Sequence, residues 1–149
     1  MIGQLIAAML GTFAFVVLFN APRKEYFFSS ANGALGWLAY LVFMGWGAGS
    51  TIAALGATII LTLTARLLSA IRRCPVTVFL VTGIFVLVPG AGIYYTAYYL
   101  LMNDLVASTA KGVETFKIAG AIVLGIVFGF AIPQSWFNRL GRKEKHVGK

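Results

Sequence analysis

Apolar residues fall in long runs, divided by short polar or glycine-rich breaks. The first run, residues 1–19, carries no charged side chain. At about 1.5 Å of rise per residue, a helix of that length reaches roughly 28 Å, close to the hydrocarbon thickness of a bilayer. A cleaved signal peptide would begin with basic residues and end at a small-x-small site. This run begins Met1-Ile2-Gly3-Gln4 and ends Phe19-Asn20-Ala21-Pro22, so a spanning helix is the better reading. Pro22 has no amide hydrogen and restricts the residue before it, which stops the helix.

Four more runs follow. The second covers 27–46 and the third 51–68, with the turn Gly45-Trp46-Gly47-Ala48-Gly49-Ser50 between them. The fourth covers 76–102, too long for one plain crossing, and the fifth covers 118–133. The polar stretch 103–117 separates these two. The pattern predicts an all-α, polytopic integral membrane helical bundle of about five transmembrane helices, the fourth broken. Residues 1–138 would form the membrane domain and 139–149 a basic cytoplasmic tail.

The charges sort with this topology. Arg23 and Lys24 follow run one, Arg66, Arg72 and Arg73 close run three, and Arg139, Arg142, Lys143, Lys145 and Lys149 lie in the tail. Five crossings put these ten of the 12 basic residues on one side and leave Lys111 and Lys117 on the other. Basic segments stay cytoplasmic. The expected arrangement is therefore multi-pass in the cytoplasmic (inner) membrane, with the N-terminus outside and the C-terminus inside.

Composition agrees: 60% of the 149 residues are hydrophobic and 11% charged, far from the soluble average. The net charge of +8 would suggest nucleic acid in a soluble chain. Here it is divided among short turns and a tail, with no basic stripe, so no nucleic-acid partner is expected. The lipid bilayer is the expected surroundings, and the tail can touch anionic headgroups.

The candidate chemistry centres on Val88-Pro89-Gly90-Ala91-Gly92, inside the fourth run. Proline deletes a helical hydrogen bond and glycine permits unusual backbone angles. In hydrocarbon, the freed peptide groups need partners in protein or water, and transporters place such broken helices around substrates. Pro89, Gly90 and Gly92 are therefore candidate substrate-binding residues, set against a plain packing kink. Tyr94 and Tyr95, next to the break, are candidates for the polar lining, set against an interfacial aromatic belt shared with Tyr98 and Tyr99. Asn20 and Asn32 flank the first turn. A helix cap or turn is favoured for both, with an inner vestibule faced by both as the alternative, and Asn20 is kept as a candidate substrate-binding residue. Gly125 and Gly129 form a GxxxG pair suited to close helix packing. Gly45 and Gly49 read as turn residues.

Little supports enzymatic chemistry. His146 is the single histidine and Cys74 the single cysteine, so no catalytic residue, metal site or cofactor is expected. Arg72 and Arg73 should lower the Cys74 pKa. Arg66 is expected at a membrane edge, its head snorkelling to water. Asp104 and Glu114 fall in the outer polar segment, and no proton relay is evident within the bilayer.

Phe19-Asn20-Ala21-Pro22, Pro75-Val76-Thr77 and Leu87-Val88-Pro89-Gly90 resemble the threonine/serine exporter family. More narrowly, the chain resembles the small subunit of the split, two-component form. The likeness covers nearly the whole length. It implies a secondary exporter of small polar metabolites, with threonine- or serine-like amino acids first and small dicarboxylates such as succinate as the alternative. It also implies a larger membrane subunit as partner. Five glycine-rich helices with few internal polar groups make a poor complete pathway, so a partner or a homo-oligomer is expected. A membrane scaffold without substrate contact is the competing reading.

Overall fold

The computed structural model describes residues 2–133. The basic tail and His146 lie outside the described residues. Among the described residues the chain is helical throughout, with no strand. Six α-helices follow in order: α1 (Ile2–Leu18), α2 (Tyr26–Gly45), α3 (Ser50–Arg72), α4 (Val76–Ile84), α5 (Gly90–Leu101) and α6 (Leu105–Ala131). A single 3-10 turn, Arg23–Glu25, precedes α2.

Three segments are long and apolar enough to cross a membrane: Arg23–Gly45, Ser50–Arg72 and Leu105–Ala131. Ile2–Leu18 is a shorter apolar helix. The fold is an all-α membrane helical bundle in which α4 and α5 are the halves of a broken segment. Helix α6 starts at Leu105, well ahead of Ile118, so most of the polar stretch 103–117 is helical too. The Asp104 side chain caps it, accepting from the Ala107 amide at 3.0 Å. Asn20, Arg73 and Asn103 each follow a helix end with positive φ (51°, 56° and 61°). Such left-handed residues terminate helices by turning the last carbonyls toward following amides. At Asn20 the closing bonds run from its own amide to Val17 O and from Ala21 N–H to Val16 O.

The interior mixes small polar residues with an apolar core around Leu61 and Phe79, and large apolar residues cover the outside. Thr12, Ser29, Ser30, Asn32, Thr58, Thr62 and Thr82 are buried, while Ile2, Leu10, Phe27, Val123 and Phe128 face outward. Lipid tails are as apolar as leucine, so helices in a membrane associate through small residues, close packing and hydrogen bonds. The contacts follow that rule. A Cβ on Gly33 of α2 would overlap the Thr12 side chain of α1. One on Gly36 would lie 2.5 Å from Leu61 of α3, and one on Gly56 of α3 would lie 2.6 Å from the Phe43 ring of α2.

Gly125 and Gly129 of α6 meet Thr58 and Thr62 of α3, where an added Cβ would come within 2.7 Å and 2.6 Å of the threonine Cβ atoms. Residue numbers rise together along this pair, so α3 and α6 run parallel. The pairs Gly36–Leu61 and Gly56–Phe43 run oppositely, so α2 and α3 are antiparallel.

Two polar residues have roles other than those expected. Asn32 is neither a cap nor a turn residue but sits within α2, buried, with its side chain reaching both α3 and α4. Arg66 does not snorkel: it is 2% exposed, donates from Nη1 to Gly129 O at 2.6 Å and lies over the Phe130 ring. The close α3–α6 approach at Gly129 leaves that carbonyl uncovered by a side chain, and the guanidinium reaches it directly. At the end of α3, Arg72 grips the buried Glu25 with two bonds, Nε–Oε2 at 2.9 Å and Nη2–Oε1 at 3.0 Å. The α1–α2 turn and the end of α3 therefore share one end of the bundle, as sorting of the basic residues requires.

Candidate functional site

The α4–α5 interruption begins level with the middle of α3. Gly83, near the end of α4, packs beside Leu61 of α3 and Asn32 of α2. Phe85, just past the helix, stacks on Phe15 of α1 with ring centroids 4.4 Å apart. Pro89 then takes φ −76° and ψ 60°, and the Gly90 amide donates to Val88 O at 2.8 Å. These angles and that bond make an inverse γ-turn. Proline suits its centre because φ is already fixed and no amide hydrogen is displaced.

Continuity of the helical ladder is lost here. Among the described residues, no backbone amide reaches the carbonyls of Val86 or Leu87. The first amides of α5, those of Ala91 and Gly92, likewise lack a backbone acceptor, as at any helix start.

A cavity of about 400 Å³ opens at this interruption. Val86 to Gly92 form one wall, and Trp37 and Tyr40 of α2 form another. Ser50 contributes from the start of α3, Tyr95 from α5, and Lys111, Glu114 and Thr115 from α6. Trp37 and Tyr40 stack, with centroids 5.2 Å apart. The Trp37 indole N–H is buried without a hydrogen-bond partner. Lys111 Nζ and Glu114 Oε2 are 2.9 Å apart, and their side chains are 46% and 47% exposed.

Helix α5 is positioned by α6. A Cβ on Gly92 would overlap Thr115 Oγ1, and one on Gly112 would press on Thr96 Cγ2 at 3.3 Å. Ser108 Oγ donates to Thr96 O at 2.9 Å. The two helices form an antiparallel hairpin, and this brings Lys111 and Glu114 back to the break.

The sequence-derived candidates separate into groups. Pro89, Gly90, Gly92 and Tyr95 lie around the cavity. Gly92 also fixes the α5–α6 approach. Tyr94 is not among the cavity residues: it is 62% exposed, edge-on to Tyr95 and stacked on Tyr98. Asn20 lies in a separate depression of about 280 Å³, with Pro22 and the Thr77–Thr82 face of α4. Its backbone closes α1, which is the cap reading. Gly125 and Gly129 are helix-contact positions on α3, away from the cavity.

Trp37, Tyr40, Lys111 and Glu114 escaped the sequence reading. The Lys111-x-x-Glu114 spacing signals an ion pair on one helix face, but nothing local signals that it faces the break.

Cys74 departs from expectation. Burial pushes its thiol above the usual range, Glu25 adds to the rise, and Arg72 only partly opposes it. The positive neighbourhood is neutralised by the Glu25–Arg72 pair. Among the described residues, no group of three or more His, Cys, Asp or Glu is placed to hold a metal ion.

No curated protein and no solved structure matches the chain. The family model described as Threonine/Serine exporter, ThrE matches residues 4–132. That match takes in α1 through α6 and the α4–α5 interruption together, and the chain belongs to the threonine/serine exporter family.

Proposed function

We propose that the chain is the small subunit of a secondary exporter for small polar metabolites, with threonine- or serine-like amino acids as the preferred class. The observation carrying this reading is the cavity at the α4–α5 interruption, where peptide groups freed by Pro89 meet tyrosine and charged side chains. Its volume lies within the range of small-ligand sites. Broken helices of this kind offer peptide groups to substrates at membrane depth. In this reading Pro89, Gly90, Gly92 and Tyr95 line the permeation site, while Tyr94 and Asn20 contribute at most from outside it.

A larger membrane subunit completes the pathway. Helix α5 buries no residue of its own, and Leu100, Leu101, Met102, Leu105 and Val106 at the hairpin tip are exposed. The proposed orientation has the N-terminus outside and the C-terminus inside. Its support is the shared end of the bundle that holds Arg23, Lys24, Arg72 and Arg73.

The test is metabolite efflux from the native host carrying chromosomal Gly90→Leu or Pro89→Leu. Beyond its own helix and chain neighbours, nothing lies within 4 Å of a Cβ at Gly90, so a side chain there starts in open space beside the cavity wall. Export is expected to fall at least tenfold with the amount of protein in the membrane unchanged. Normal export by both variants would sink the reading. A photoreactive substrate that labels only a partner, never residues near Tyr95, would favour the scaffold.

A further inference from the structure

Among the described residues, Lys111 and Glu114 are the only charged side chains lining the cavity. On an open helix face, such an i,i+3 pair would be a solvated contact of little consequence. Here both side chains line the same half-open cavity as Tyr40, Tyr95 and the interruption. They are half-exposed, so a ligand in the cavity can reach them, and their ionic atoms lie 2.9 Å apart.

We propose that Lys111 and Glu114 are the charge-selecting pair of this cavity. A zwitterionic amino acid replaces their mutual contact, its carboxylate taken by the Lys111 ammonium and its ammonium by the Glu114 carboxylate. This rests on reading the cavity as the permeation site.

An α-amino acid carries opposite charges on groups joined through one carbon, so it matches two opposite charges in direct contact. Exchange leaves neither side chain unpaired. A dicarboxylate would place its second negative group against Glu114. A simple hydroxy acid would pair with Lys111 and leave Glu114 facing a neutral group. An amine without a carboxylate would leave Lys111 unanswered. Like charges and unpaired groups are the means by which a site rejects near-identical molecules. The aromatic walls add to selection, since tyrosine and tryptophan rings attract an ammonium through their faces.

The test uses inverted vesicles prepared from the native host membranes, in which any partner is present. Uptake of labelled threonine is measured in competition with serine, with 3-hydroxybutyrate and with succinate. In the unaltered protein, only serine is expected to compete. Glu114→Gln is expected to lower threonine uptake at least tenfold and to let 3-hydroxybutyrate compete as well as serine. Lys111→Gln is expected to lower uptake as much, with no gain for any carboxylate. Glu114→Asp keeps the charge and is expected to keep the selectivity.

Threonine uptake at the unaltered rate in both glutamine variants overturns the proposal, as does equal loss with an unchanged competition pattern. The pair is exposed, so its variants are expected in the membrane at unaltered amounts. Gly90→Leu separates the two readings. If it is inactive while the charge variants keep their selectivity, the site stands and the pair fails. If it transports normally, the site itself fails.

Discussion

The side-chain amide of Asn32 donates to the carbonyl of Phe79 at 3.2 Å, tying the middle of α2 to α4. Its Nδ2 also approaches Leu61 O at 3.5 Å, and its Oδ1 accepts from the Thr64 hydroxyl. One residue thus links three helices just ahead of the interruption. Asn32→Leu removes all of these bonds while keeping a similar volume. Interhelical bonds in membranes contribute about 0.6 kcal/mol on average and up to about 1.7. A loss of about 1–2 kcal/mol is expected, read as a lower denaturation midpoint in detergent. An unchanged midpoint would show that the bracket contributes nothing.

The α3–α6 seam makes a sharper steric prediction. Gly129→Ala brings a methyl within 2.6 Å of Thr62 Cβ, whereas Gly120→Ala meets nothing within 4 Å. Overpacking of this kind costs about 1–3 kcal/mol. Gly129→Ala should lower thermal stability in detergent, and Thr62→Gly in the same chain should recover most of the loss. Gly120→Ala should raise stability by up to about 1 kcal/mol, the helix propensity difference. Equal behaviour of the two alanine variants contradicts the packing described here.

Glu25 and Arg72 should show strong coupling. Glu25 is 4% exposed, so Arg72→Met strands a buried carboxylate. Losing one partner of a fully buried pair costs about 3–5 kcal/mol. The Arg72 side chain is 31% exposed, so water screening makes the expected loss clearly smaller than that. Glu25→Gln together with Arg72→Met should be more stable than Arg72→Met alone. A double-mutant cycle with additive effects would refute the coupling.

Cys74 supplies the pH-dependent case. Its thiol pKa is raised, first by burial and then by Glu25. Thiolate, the reactive form, is therefore scarce at neutral pH and appears only above the range of a free cysteine. Alkylation rates plotted against pH should have a midpoint above that of a model thiol. Glu25→Gln should move this midpoint down, and Arg72→Met should move it up. A midpoint below the model value would reverse the assignment.

The legibility of this protein in its sequence varied by residue. The break was readable because proline lacks a donor wherever it stands, and Pro89 is followed at once by Gly90. Gly125 and Gly129 declared a close approach because four-residue spacing puts both on one helix face, although Thr58 and Thr62 as their partners did not show. Asn32 and Arg66 were misread for a common reason. A polar side chain in an apolar helix finds whichever carbonyl crosses it, and crossings are set by the whole bundle. Lys111 and Glu114 are visible in the sequence as polar residues between runs four and five, with no sign of what they face. Only the folding of α6 back along α5 brings them to the cavity. For Cys74 the adjacent arginines point to a lowered pKa, but burial, with Glu25 adding to it from a distant part of the sequence, reverses the sign.

Helix α5 contributes nothing to the core and packs chiefly on α6, while the second half of α6 is locked to α3 through Gly125 and Gly129. The γ-turn at Pro89 thus joins the packed core to a peripheral helix. The tip between Leu101 and Leu105 is thereby tethered to the rest of the bundle along two routes, the Pro89 turn through α5 and the α3 seam through the unbroken α6.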